Sequence, residues 1–187
     1  VSLVSPNDRY QRGDLKAISD QAKRGAALFD SKQCASCHAG PHFTDAAIPG
    51  RKPVETFHRL AIPADGKDAG LQRITQKPED AGKFRTPGLR NVALSAPYMH
   101  DGEAATLSDA IRHHFGLADQ ADERLKQSVS DREVGDLIAF LEALTDQGFI
   151  TNPAFALPNP GCPVAGDAAL ASEEANSRRL RNSPAGP

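Results

Sequence analysis

The chain contains no tryptophan and a single methionine, and aromatic residues make up only 5% of its 187 positions. A chain so poor in rings has a thin core of its own, which a large apolar cofactor would help to fill. It also lacks a charge excess. Lys and Arg number 22 against 24 for Asp and Glu, a formal net charge of −2. That balance gives no support to nucleic-acid binding or to a basic membrane-surface helix. No apolar run approaches the ~20 residues of a membrane span. No signal peptide opens the chain, so an exported protein would be seen here as its mature form or a fragment. Length alone suggests one domain, at most two small ones. What the chain has in quantity is loop-forming residues, 15 Gly and 14 Pro.

Periodicity is confined to three segments. Residues 1–18 read as an irregular lead-in, full of turn formers in "SPNDRYQRGD". Ser19 or Asp20 caps a helix that runs to about Phe29, with Ala22, Gly25, Ala26 and Phe29 on one face. Gly25 and Ala26 are small enough to let another helix cross closely. From Pro41 to Pro97 no period is sustained, which predicts long loops with short helical turns rather than a sheet. Thr106 opens a second helix, with Asp109 at its capping-box position. Ser130 and Glu133 open a third, striped by Val134, Leu137, Ile138, Leu141 and Leu144. Residues 19–150 therefore form the predicted domain. Residues 151–187 read as an irregular extension with a disordered end.

The chemistry concentrates at "QCASCHAGPHFTD". Cys34-Ala35-Ser36-Cys37-His38 has the C-x-x-C-H form of c-type haem attachment. Each thiol adds to one haem vinyl group, and the adjacent imidazole is placed under the iron. A thioredoxin-like dithiol would need a βαβ context, and none is visible. A structural zinc site would need a further soft ligand at knuckle spacing, whereas Cys162 is far away in a Pro-rich loop. Haem attachment of this kind occurs outside the cytoplasm, so a bacterial periplasm is expected.

For the second axial position the candidates are Met99, His100, His113 and His114. At helical spacing Leu107, Ala110, Ile111 and His114 share a face, and His113 points off it. A histidine on an apolar stripe is more often a packed core residue, yet this stripe needs something to face. Met99 is the alternative sixth ligand, and His100 reads as a pocket or interface residue. Lys83, Arg85 and Arg90 in "GKFRTPGLRN" are candidate partners of the haem propionates, with a solvated basic face as the competing reading. His42 and His58 stay unassigned.

The stretches "AKRGAALFDSKQCASCHAGPHFTD", "ETFHRLAIP", "KFRTPGLRNVALSAPYMHDGEAATLSDAI" and "SDREVGDLIAFLEALTD" together resemble the bacterial di-haem cytochrome c peroxidases and their MauG-like relatives, in their C-terminal haem domain. The resemblance implies an all-α class I cytochrome c-like fold, with long loops wrapped around one covalent haem c. It implies that the first and last helices cross at small residues. The family's distal ligand is a Met or a Tyr a fixed distance beyond "HDG"; counting along this chain lands on His114. It further implies calcium at an interface with a second haem domain, through the carbonyls of Ser95 and Pro97, with Tyr98 and His100 on the route between the haems. The peroxidatic domain would precede Val1, as a removed segment or a separate subunit.

The expected function is electron transfer between an external donor (a small cytochrome or cupredoxin), or a protein substrate, and a partner haem that reacts with hydrogen peroxide. A stand-alone mono-haem carrier is the alternative.

Overall fold

The computed structural model describes residues 2–59, 68–115 and 126–156. The described residues up to Phe149 make one compact unit, and those from Ile150 onward belong to another. Cys162 and the C-terminal tail lie outside the described residues.

The lead-in is helical where turns were expected. α1 (Pro6–Gln11) starts at Ser5, whose hydroxyl accepts from the Asp8 amide while the Asp8 carboxylate accepts from the Ser5 amide. Pro6 fits the first helical position because its missing N–H needs no partner there. The segment is tied to the domain: the Asn7 amide donates to Ala143 O at 3.0 Å, and Ser2 Oγ and the Val4 amide donate to Asp146. Arg90 clasps Asp8 through two 2.8 Å bonds, and its Nε donates to Pro41 O. The Arg90 bond is the main reason the Asp8 pKa falls to about 2. Because the folded pKa lies below the ordinary carboxylate value, this stabilisation is complete above about pH 4 and is lost as pH falls toward 2. Asp8→Asn is expected to cost about 1–3 kcal/mol near neutral pH and to flatten the acid limb of stability, as read by thermal melts between pH 5 and 2.

α2 (Asp20–Ser31) is capped by Ser19 and lies against α5 (Asp131–Glu142), which opens on the Ser130–Glu133 capping box. Their crossing is very close at Gly25, where a Cβ would stand 1.9 Å from Asp136 O. Beside it Arg24 holds buried Asp136 through bonds of 3.0 and 2.9 Å. The core gathers Phe29 from α2, Val134, Leu137, Phe140 and Leu141 from α5, and Ile111 from α4 (Leu107–Phe115). The buried stripe of α5 includes Phe140, which the periodic reading left out, whereas Ile138 is only half-buried.

The middle of the chain departs from an all-α class. After a short 3-10 turn at Pro53–Thr56 comes β1 (Phe57–Arg59). It pairs antiparallel with β2 (Lys83–Arg85), in the register Phe57↔Arg85, His58↔Phe84 and Arg59↔Lys83. Between them lies α3 (Gln72–Thr75). Strands of three residues are too short to show alternation, and 23 residues separate them (60–82), so local pattern carried no trace of the pair.

Candidate functional site

A single turn after α2 carries the two thiols. Gln33 takes a left-handed backbone at φ 62, and Cys34–Ser36 form a 3-10 turn. The His38 amide closes onto Cys34 O at 2.9 Å. Cys34, Cys37 and His38 line a cavity of about 350 Å³, and so does His114 from α4. The remaining wall is mostly apolar, with Phe29, Leu89, Val92, Ile111, Leu137 and Leu141 among its residues. A volume of this order suits a ligand or cofactor site.

The two imidazoles are prepared in the same way. His38 Nδ1 stands 3.1 Å from both Phe43 O and Pro87 O. Carbonyls only accept, so Nδ1 carries the proton and Nε2 keeps its lone pair. His114 Nδ1 is fixed likewise, 2.7 Å from Ala110 O one turn back. Among the described residues, no protein group bonds to either Nε2. A backbone carbonyl orienting the far nitrogen is the usual support of a metal-ligating histidine. Burial lowers the His38 pKa to about 4, with His114 a further cause, and burial lowers that of His114 as well. Both rings are thus neutral at ordinary pH, the form that binds iron.

The Cys34 thiol is pushed up to about 11, chiefly by burial. Reactive dithiols need the opposite shift, so Cys34 is poorly suited to redox exchange. A thiol pair, a lone-pair imidazole and apolar walls together fit a covalent haem c.

Other sequence candidates fall in several places. Met99, in a left-handed backbone at φ 71, and His100 both line the cavity. The His100 ring lies on Phe84 with centroids 4.0 Å apart. His113 turns to Glu103 at 3.1 Å and is not part of the lining. Of the three proposed propionate partners, only Arg85 lines the cavity. Lys83 is paired with Asp80 at 2.8 Å and Arg90 with Asp8, so neither is placed to serve the cavity. Arg59 and His58 do line it, and residue spacing alone did not point to either. Their signal was the strand pair, which local pattern hid. His58 Nε2 donates to fully buried Asp45 at 2.6 Å, and Arg51 reaches the same oxygen.

Ser95 and Pro97 sit outside the cavity lining, both exposed. Ser95 Oγ donates to Val92 O, and Pro97 follows a cis peptide bond. The Tyr98 amide donates to Ala104 O, which closes the "MHDGE" turn next to the cavity.

Residues 22–145 match the cytochrome c family. The chain belongs to that family. Within it, the relatives are MauG proteins and di-haem peroxidases. The methylamine utilization protein MauG of Methylophilus methylotrophus is 35% identical over 151 residues, covering 77% of this chain and 42% of that protein. Cytochrome c peroxidase Ccp of Escherichia coli K12 is also 35% identical over 151 residues, covering 77% of this chain and 29% of that one. A solved MauG-like protein associated with microbial copper homeostasis aligns with TM-score 0.71 at 34% identity, over 84% of this chain and 52% of its own. The di-haem peroxidase BthA of Burkholderia thailandensis E264 aligns with TM-score 0.58 at 26% identity, over 78% and 47%. This cytochrome c domain spans less than half the length of the curated relatives named here. Family membership supports covalent haem c as the occupant of the cavity.

Proposed function

We propose that this chain is the electron-transferring haem c domain of a di-haem cytochrome c peroxidase or MauG-like oxidoreductase. Cys34 and Cys37 would hold the haem covalently, and His38 and His114 would ligate its iron. The observation that carries this reading is that His114, 76 positions beyond His38, shares an apolar cavity with the C-x-x-C-H turn, and both rings leave Nε2 unclaimed.

When bound, haem c supplies a one-electron iron couple. The chain supplies ligation and surroundings. Carbonyls at Phe43, Pro87 and Ala110 hold the Nδ1 protons and make each Nε2 a stronger donor. Two imidazoles stabilise ferric iron more than an imidazole and a thioether do, so with His38 and His114 as ligands the potential would sit below that of a His/Met site. Apolar walls keep water from the ring. Met99 is the alternative distal ligand within the same cavity.

A second haem domain, in the same polypeptide or another subunit, would react with hydrogen peroxide. Electrons would reach it from a small cytochrome or cupredoxin, or from a protein substrate in MauG-like chemistry. The bacterial relatives and covalent haem attachment support a periplasmic location. Calcium held by the carbonyls of Ser95 and Pro97 would join the domains, since that ion prefers oxygen ligands.

A haem count and an electron paramagnetic resonance spectrum of the purified protein test the reading. The expected result is one covalent haem on this chain with a low-spin bis-imidazole signal. His114→Ala is expected to retain haem but convert the spectrum to high-spin or to a His/Met signature with Met99 recruited. An unchanged spectrum would remove His114 from the iron, and a redox-active monomer indifferent to peroxide, purifying with no second haem domain, would favour a stand-alone carrier.

A further inference from the structure

Arg59 and Arg85 stand side by side at the cavity. In the β1–β2 register Phe57 faces Arg85 and Arg59 faces Lys83, so the two arginines are diagonal neighbours on one face. Such positions lie about 7–8 Å apart, within reach of a shared ligand for long side chains. Both arginines are exposed and both line the cavity. Nearby cations are already matched: Lys83 by Asp80, Arg51 by Asp45 and Arg90 by Asp8. Among the described residues neither Arg59 nor Arg85 has a carboxylate partner, and no Asp or Glu lines the cavity. Two permanent positive charges thus flank an apolar chamber whose described residues offer them no anion. A negative charge carried by whatever fills the chamber would match them.

We propose that Arg59 and Arg85 form a two-pronged carboxylate clamp for the acidic edge of the ring bound in the cavity, namely the haem propionates, and that the clamp sets the iron potential. This rests on the haem reading above. A planar guanidinium matches a carboxylate in a bidentate manner and cannot lose its proton. Neutralised propionates no longer favour ferric iron, so the clamp raises the potential. Lys83 shares the strand face and the charge, but Asp80 already holds it, which provides an internal control.

The test is an equilibrium redox titration of the haem-loaded protein at low salt, with Arg59→Gln, Arg85→Gln, the double variant and Lys83→Gln. Covalent haem absorbance should be retained. The double variant should shift the ferric/ferrous equilibrium about tenfold toward ferric, a fall of about 59 mV for one electron. Each single variant should give part of that, and Lys83→Gln should stay close to wild type. Resonance Raman propionate bending bands should move in the double variant and not in Lys83→Gln. A double variant with the wild-type potential would overturn the clamp and would leave the arginines to an acidic partner protein. An equal shift in Lys83→Gln would overturn it too, by showing a general charge effect. If the double variant fails to load, the single variants decide, since unchanged potentials in both reject the clamp. Wild-type protein without covalent haem would instead sink the haem reading itself.

Discussion

Replacing Cys34 and Cys37 together with serine is expected to yield a chain that carries no haem after acid–acetone extraction and shows no cooperative thermal melt. The first half follows from chemistry, since a hydroxyl does not form the thioether that anchors the ring. The second half follows from magnitudes. The cavity measures about 350 Å³ and its wall is mostly apolar. At about 24 cal/mol per Å³ of cavity, leaving it unfilled costs on the order of 8 kcal/mol. A whole domain is stable by only about 5–15 kcal/mol. Solvent entry reduces the cost without removing it, because the wall would then be wetted rather than packed. The residues exposed in this way, Phe29, Val92, Ile111, Leu137 and Leu141, all belong to the main core cluster. The chain has no tryptophan and few other aromatics, and among the described residues the second core cluster is only Ile18, Ala22 and Ala143, too small to hold the fold. Far- and near-ultraviolet circular dichroism of the double variant measures this. A haem-free protein with a sharp melt near that of the wild type would contradict it.

The parts of this architecture visible in sequence are those encoded within a few turns of chain. The capping residues Ser19, Ser130 and Glu133 act locally, and they mark the observed starts of α2 and α5. Helical spacing puts Leu107, Ala110, Ile111 and His114 on one face, and all four line one cavity. A helix fixes which side chains point together whatever it packs on. Local pattern is silent where the packing partner decides burial. Phe140 is buried because rings from Phe29 and Phe43 meet it, at centroid distances of 5.2 and 6.1 Å, not because of its place in the stripe. The β1–β2 pair joins residues some 26 positions apart, and with it went the placement of Arg59 and His58. From sequence Arg90 reads as a candidate propionate partner or as part of a solvated basic face. Its real partner, Asp8, lies 82 positions away in a segment that composition marked as irregular. The S-x-x-D pattern at Ser5 was present all along, but a helix of six residues gives too little apolar period to draw attention to it.

Gly25→Ala should be among the most damaging single-methyl additions possible in this chain. The new Cβ would stand 1.9 Å from Asp136 O, 2.6 Å from its carbonyl carbon and 2.8 Å from Phe140 Cβ. Two of the three atoms are backbone of α5, so no rotamer change relieves the contact. The helices must separate by an ångström or more. That movement loosens the Phe29–Phe140 contact and stretches the bonds from Arg24 to Asp136. Helix propensity favours Ala over Gly by about 1 kcal/mol, yet overpacking costs about 1–3 kcal/mol and occasionally more, and here it falls on backbone. With the overpacking at the top of that range, the expected net loss is about 2 kcal/mol, a drop of about 4–8 °C in melting temperature for a chain of this size. Gly135→Ala supplies the contrast within the same helix pair. Its Cβ would meet nothing closer than Gln21 Nε2 at 3.5 Å, an ordinary contact, so propensity should win and stability should hold or rise. Differential scanning calorimetry of the two haem-loaded variants compares them directly. If Gly25→Ala melts with the wild type, α2 and α5 do not cross at Gly25, and the placement of Phe29 on the cavity wall falls with that crossing.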